Sequence, residues 1–134
     1  MKTHLKMKKS LALIAFLLLS TISIAQNGPK IEFSSKNNTI DYGTVKVTEN
    51  ATREFSFTNT GNAPLVVSNV LSTSGFTIAN YTETPVLPGK SGTITIKYNM
   101  AIGPIRKTIT VETNAINHEN GRIAVKVKGE VIAN

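Results

Sequence analysis

The sequence contains no cysteine, and this absence excludes several kinds of chemistry. A chain without cysteine forms no disulfide, binds no zinc through thiolates and carries out no thiol redox reaction. The lipid of a bacterial lipoprotein is attached to a cysteine at the new N-terminus, so we do not expect a lipoprotein anchor. Tryptophan is also absent, and aromatic residues make up only 6% of the chain, which leaves few rings on which bases or sugars could stack.

Groups suited to catalysis are equally scarce. His118 is the only histidine beyond the first few residues, and it lies in a polar turn. No Gly-x-Ser-x-Gly segment occurs that would place a nucleophile on a strained elbow, and the 8 acidic residues show no calcium-loop spacing. We therefore predict that the protein is not an enzyme and has no catalytic residue, metal or cofactor. A carboxylate pair assembled only by the fold is the remaining enzymatic alternative.

The N-terminal residues have the pattern of a secretory signal peptide. Four lysines and no acidic residue occur within residues 1–9, an apolar run occupies residues 11–19, and small residues stand at Ser23 and Ala25. This order of segments predicts cleavage after residue 25. The alternative is an uncleaved anchor, but the apolar run falls short of the roughly 20 residues that span a bilayer. We expect an exported protein, periplasmic or extracellular, with no membrane insertion after signal cleavage.

Removing the predicted signal peptide also changes the charge balance. The whole chain has 15 Lys and Arg against 8 Asp and Glu. Because four of the lysines lie within residues 1–9, residues 26–134 have 11 basic and 8 acidic residues, a net charge of +3. Such a modest excess is typical of a solvated surface, and we do not expect nucleic acid as a partner. The 109 residues from 26 to 134 are enough for a single domain.

Apolar and polar residues alternate with a period of two through most of residues 26–134. Ile94, Ile96 and Tyr98, for example, are separated by Thr95 and Lys97. This alternation is typical of strands that have one buried face, and Gly, Asn and Pro clusters separate the strands. The pattern predicts strands at 30–33, 39–47, 51–58, 64–71, 75–80, 92–99, 105–113 and 122–132. Seven or eight short strands with one apolar face each predict an all-β, immunoglobulin-like antiparallel sandwich.

An ordered series of motifs adds a family resemblance. The series consists of Ile40-Asp41-Tyr42-Gly43-Thr44-Val45, Phe55-Ser56-Phe57-Thr58-Asn59-Thr60-Gly61-Asn62-Ala63-Pro64-Leu65, Pro88-Gly89-Lys90-Ser91-Gly92, Gly103-Pro104, Lys107-Thr108-Ile109-Thr110-Val111, Asn114-Ala115 and Lys128-Gly129-Glu130-Val131. In order and spacing these motifs resemble a bacterial domain-of-unknown-function group, common in Bacteroidetes, within the Ig-like superfamily of Hydin-type and major-sperm-protein-type domains. The resemblance extends from about Ile31 to Val131. It implies architecture rather than activity.

The chain departs from this group at one place. Many members have a Cys-Gly-Cys-Thr segment after the strand that corresponds to residues 64–71. The matching residues here are Ser74, Gly75, Phe76 and Thr77, so neither cysteine is present. A thiol or metal role of that pair therefore does not carry over, and we expect Phe76 to be an ordinary packing residue.

These observations favour a non-enzymatic interaction or structural module of the cell envelope. Its partner would be an envelope or cell-surface protein, bound through loops or through an exposed strand edge. The alternative is a module that binds glycan or cell wall, which requires exposed aromatic rings. Tyr42 and Tyr81 are the candidate contacts for that role. The sequence gives neither the identity of the partner nor the oligomeric state.

Overall fold

The computed structural model describes residues 27–134, so the predicted signal peptide at 1–25 lies outside the described residues. The described strands are β1 (Ile31–Phe33), β2 (Thr39–Lys46), β3 (Thr52–Asn59), β4 (Val67–Leu71), β5 (Phe76–Tyr81), β6 (Ser91–Tyr98), β7 (Gly103–Thr113) and β8 (Arg122–Ile132). Two short 3-10 turns, Lys36–Asn38 and Glu119–Gly121, precede β2 and β8. Within residues 27–134, no helix has the length and apolarity that a membrane crossing requires.

The strands form two four-stranded sheets. Sheet A has the order β1-β3-β6-β5, and sheet B has the order β2-β8-β7-β4. The predicted immunoglobulin-like β-sandwich of seven or eight strands is confirmed. One pair departs from the antiparallel arrangement, because β2 runs parallel to β8. Period-two alternation shows which residues share a face but not the direction of a neighbouring strand, so this parallel pair could not be predicted from it.

The core lies between the two sheets and is built from the alternating apolar residues. Ile94, Ile96 and Ile109 are fully buried, as the alternation predicts. At one end of the sandwich Tyr42, Phe76 and Tyr98 form an aromatic cluster, in which the Phe76 and Tyr98 ring centroids lie 4.6 Å apart. Burial of one such large apolar side chain contributes about 1.5–3 kcal/mol, so the inner faces supply most of the stability of the fold.

One polar side chain, that of Asn59 at the end of β3, is completely buried. Its amide nitrogen donates to the carbonyl oxygens of Ala63 and Val86, each at 2.8 Å. Its amide oxygen accepts the N–H groups of Gly61 at 2.9 Å and Lys30 at 3.4 Å. A buried amide is stable only when its donors and acceptors are paired. Asn59 therefore joins the start of the domain to the turn after β3.

Candidate interaction surface

Each sheet has two edge strands, and these are the places where another chain could add a strand. On one side of the sandwich the edges are β1 and β2. β1 is only three residues long. The register of β2 shifts between Asp41 and Thr44, where the Asp41 carboxylate accepts the N–H of Gly43 at 2.8 Å. Short edge strands and bulges hinder strand addition, so this side of the sandwich is protected.

The opposite side has β5 of sheet A and β4 of sheet B at its edges. Neither strand contains a charged residue, although each has one register shift, between Val67 and Asn69 in β4 and between Ile78 and Asn80 in β5. The Thr82 N–H donates to the Thr93 carbonyl at 2.9 Å. Since hydrogen-bonding direction alternates along a strand, the N–H and C=O of Tyr81 point away from β6. Both edge strands, β4 and β5, thus lack the charges that usually protect a strand edge.

Sheet B has a further open segment on the same side. β7 pairs with β8 along its whole length, from Gly103 to Glu112. Its pairing with β4 begins only at Thr110, which lies opposite Leu71 where β4 ends. Within the described residues, no strand therefore borders residues 103–109 of β7 on the side away from β8. We call residues 104–108 the open segment of β7.

The hydrogen bonds near β4 show which backbone groups of the open segment are free. The Asn114 N–H donates to the Val66 carbonyl at 3.2 Å, and the Glu112 carbonyl accepts the Ser68 hydroxyl at 3.1 Å. The backbone N–H and C=O groups of even-numbered β7 residues thus point toward the β4 side, because the direction of these groups alternates along a strand. It follows that Arg106 and Thr108 point their N–H and C=O groups toward the unoccupied side.

The outer face of sheet B is positively charged around this segment. Arg106, Lys126 and Lys128 line a shallow depression on that face. Arg106 lies directly opposite Lys128 on the neighbouring strand, an arrangement of like charges that destabilises a sheet. Lys128 is 3.8 Å from the Asp41 carboxylate, whereas neither salt bridge of the described residues involves Arg106 or Lys126.

Lys107 is the functional candidate that the sequence reasoning missed. It occupies the inward row of β7 between the buried residues Ile105 and Ile109, yet it is only half-buried. Its ammonium group donates to the Ser74 hydroxyl at 2.9 Å. The sequence alone marks Lys107 as a candidate, because a lysine at an inward position of a strand usually has a specific partner or an outlet to solvent.

The resemblance places its two expected cysteines at Ser74, on the crossing from β4 to β5, and at Phe76, the first residue of β5. Ser74 is exposed and accepts a hydrogen bond from Lys107, whereas Phe76 is buried in the aromatic cluster with Tyr42 and Tyr98. The crossing thus has a polar residue beside the open segment, and Phe76 is a packing residue.

Tyr42 does not offer the exposed ring that a glycan contact needs. It lies inside β2, is 4% exposed, and donates its hydroxyl to the Ala51 carbonyl at 2.8 Å. The Arg53 guanidinium lies over the ring, 4.4 Å from its centroid. Burial raises the pKa of the Tyr42 hydroxyl, and the Arg53 charge partly opposes this rise. Asp41 and Gly43, which flank Tyr42, are residues typical of turns, and here they form the bulge in β2.

The other polar candidates are separated from one another. Tyr81 ends β5 and is half-buried against the core. His118 precedes the 3-10 turn before β8, and its carbonyl accepts the Gly121 N–H at 3.0 Å. No group of three or more His, Asp or Glu side chains in residues 27–134 could hold a metal ion.

A family model described as a protein of unknown function, DUF1573, matches residues 31–131. The expected membership in a domain-of-unknown-function group is thereby confirmed, while the bacterial group to which it belongs stays a prediction. No curated protein matches the chain.

Several solved structures share the fold. A protein of unknown function from Porphyromonas gingivalis is 21% identical, with a TM-score of 0.64 over 79% of this chain and 48% of its own. The Vibrio cholerae protease VesB is 8% identical, with a TM-score of 0.59 over 75% of this chain and 32% of its own. A PapD-like domain of human CEP192 is 13% identical, with a TM-score of 0.54 over 82% of this chain and 92% of its own. This chain spans about half the length of the first of these structures.

Proposed function

Because this chain belongs to the DUF1573 family of proteins of unknown function, we propose its function from its fold and surface: a non-enzymatic protein-interaction module of the cell envelope. The observation that carries the proposal is the uncharged edge of β5 together with the open segment of β7, where backbone groups have no neighbouring strand among the described residues. Such groups bind an extended segment of another protein by adding it to the sheet. The PapD-like fold is compatible with this role.

The absence of an assembled set of reactive groups among the described residues supports a binding role rather than a catalytic one. Their acidic side chains form no cluster, and His118 is held in a turn by its backbone. The likeness to the VesB protease covers only 32% of that protein's chain. At 8% identity it concerns architecture alone.

Location in the envelope follows from the signal-peptide pattern at residues 1–25. The test is the intact mass of the protein recovered from the native host. We expect a chain that begins at Gln26 in the periplasmic or extracellular fraction. Ala25→Leu should leave the precursor uncleaved, because the site requires a small residue. Recovery of the full-length wild-type chain in the cytoplasm would contradict the proposal.

The interaction itself is tested by crosslinking the tagged full-length protein in native cells and identifying captured proteins by mass spectrometry. We expect one envelope protein to be captured reproducibly. Its crosslinks should map to β5, to β7 or to the crossing between β4 and β5. Capture of abundant neighbours only, with crosslinks spread over both sheets, would refute an interaction role.

A further inference from the structure

We propose that the open segment of β7 binds an extended, acidic segment of a partner protein as an additional strand of sheet B. This inference rests on the proposed function and names both the binding edge and the chemistry of the partner. The added strand would lie end to end with β4, which stops at Leu71. It would thereby fill the empty position beside residues 104–108.

The backbone of the open segment sets the size of the partner segment. Arg106 and Thr108 each offer one N–H and one C=O on the open side, so an added strand forms up to about four backbone hydrogen bonds. Pro104 has no N–H, and Gly103 before it has a φ of 125°, a conformation that side chains rarely adopt. The binding edge thus ends at Pro104, and the partner contributes roughly five residues.

The charges on both faces of the segment select an acidic partner. On the outer face, a residue opposite Arg106 would also lie close to the Arg106–Lys128 pair, and a carboxylate there would offset the repulsion of these like charges. On the inner face, the next residue of the partner would lie opposite Lys107, whose ammonium group is held near the opening by Ser74. Adjacent acidic residues therefore suit the two faces.

The same charges argue against a second copy of this chain as the occupant. A symmetric antiparallel pairing of two β7 edges centred on Lys107 would place Lys107 of one copy directly opposite Lys107 of the other, with the two Arg106 residues diagonal to each other. Like charges opposite each other on paired strands are destabilising. The chain's own uncharged edges, β4 and β5, provide no acidic residue to offset them.

The experiment selects a library of random heptapeptides, displayed on phage, against the purified protein and then measures binding of the selected peptides by fluorescence anisotropy. We expect selected peptides to combine adjacent Asp or Glu residues with β-branched neighbours. Replacing their carboxylates with amides should weaken binding about tenfold or more, because close charge pairs at interfaces couple strongly. Binding should also weaken between 50 and 300 mM salt, since the Debye screening length falls from about 14 Å to about 6 Å over that range.

Peptide binding to variants of the protein tests whether the peptide occupies the open segment. Arg106→Glu combined with Lys107→Glu should weaken binding about tenfold or more. Lys97→Glu makes the same kind of charge change on the exposed face of sheet A, and it should leave binding unchanged. Thr108→Pro keeps every charge and removes the free N–H, and proline is tolerated where an edge N–H is unpaired. It should weaken binding as well.

Amide hydrogen exchange locates the added strand directly. In the free protein the amides of Arg106 and Thr108 should exchange much faster than those of Ile105 and Ile109, which face β8. A bound peptide should protect the Arg106 and Thr108 amides. Protection at Tyr81 of β5 instead, or selected peptides without acidic residues, would overturn this proposal but leave the proposed function intact. A selection that enriches no peptide would also overturn it, and only a failure of the crosslinking as well would refute the proposed function.

Discussion

Replacing Asn59 with alanine should destabilise the domain strongly, because this fully buried amide joins separate segments of the chain. The substitution removes four hydrogen bonds. It leaves the Ala63 carbonyl without its donor and the Gly61 N–H without its acceptor, whereas the Val86 carbonyl keeps the Leu65 N–H. A net contribution of about 1 kcal/mol per bond, with little from the 3.4 Å contact, predicts a loss of about 2–4 kcal/mol. In a domain of this size each kcal/mol lowers the Tm by about 4 °C, so we expect a decrease of about 8–16 °C.

The assay is urea unfolding followed by far-ultraviolet circular dichroism, because the chain has no tryptophan for fluorescence. Asn62→Ala is the matched control, since that side chain lies on the same turn, is exposed and bonds to Gly28 and Asn27. It should lower the stability by less than about 1 kcal/mol. Asn59→Asp keeps the shape but replaces a donor with an acceptor, and it should be at least as harmful as alanine at neutral pH. Equal effects of Asn59→Ala and Asn62→Ala would refute the role assigned to this amide.

Two further predictions concern the core. Gly92→Ala should destabilise the domain by about 1–3 kcal/mol, because its Cβ would overlap the Phe57 ring; an unchanged urea midpoint would show that the ring has room to move. Tyr42→Phe should lower the stability at pH 8 by about 1 kcal/mol through loss of the bond to the Ala51 carbonyl. The raised pKa of Tyr42 favours the folded state below the unfolded pKa of about 10, and this contribution is lost as the pH rises through the folded pKa. Tyr42→Phe should therefore lose less stability than the wild type between pH 8 and pH 11, and parallel losses would contradict the assignment.

The strands were predictable because each depends on a local pattern. Ile94, Ile96 and Tyr98 all face the core, as their period of two requires. The bulge in β2 was harder to see, because Asp41 and Gly43 are turn residues that here let the strand continue. Tyr42, named as a candidate glycan contact, is buried in that strand.

The candidate interaction surface could not be predicted, because it depends on which strands become neighbours. Leu71 and Thr110 are nearly 40 positions apart in the sequence, and only their pairing shows that β4 is too short to cover β7. Lys107 could have been found from its place between Ile105 and Ile109. Its bond to Ser74 could not, because that contact joins a strand to a distant crossing.

The position of β8 has a consequence for how the molecule folds. β8 is the last strand of the sandwich in chain order, yet it lies inside sheet B between β2 and β7. Thr39 near the start of the sandwich pairs with Lys126 in β8. Contacts between such distant residues slow folding, because a long loop must close before they form. Until β8 has been synthesised, or has passed through a translocation pore, β2 and β7 lack the strand that lies between them. We therefore expect β2 to join sheet B late, once the eleven-residue β8 has arrived, whereas β4 and β7 can pair before it.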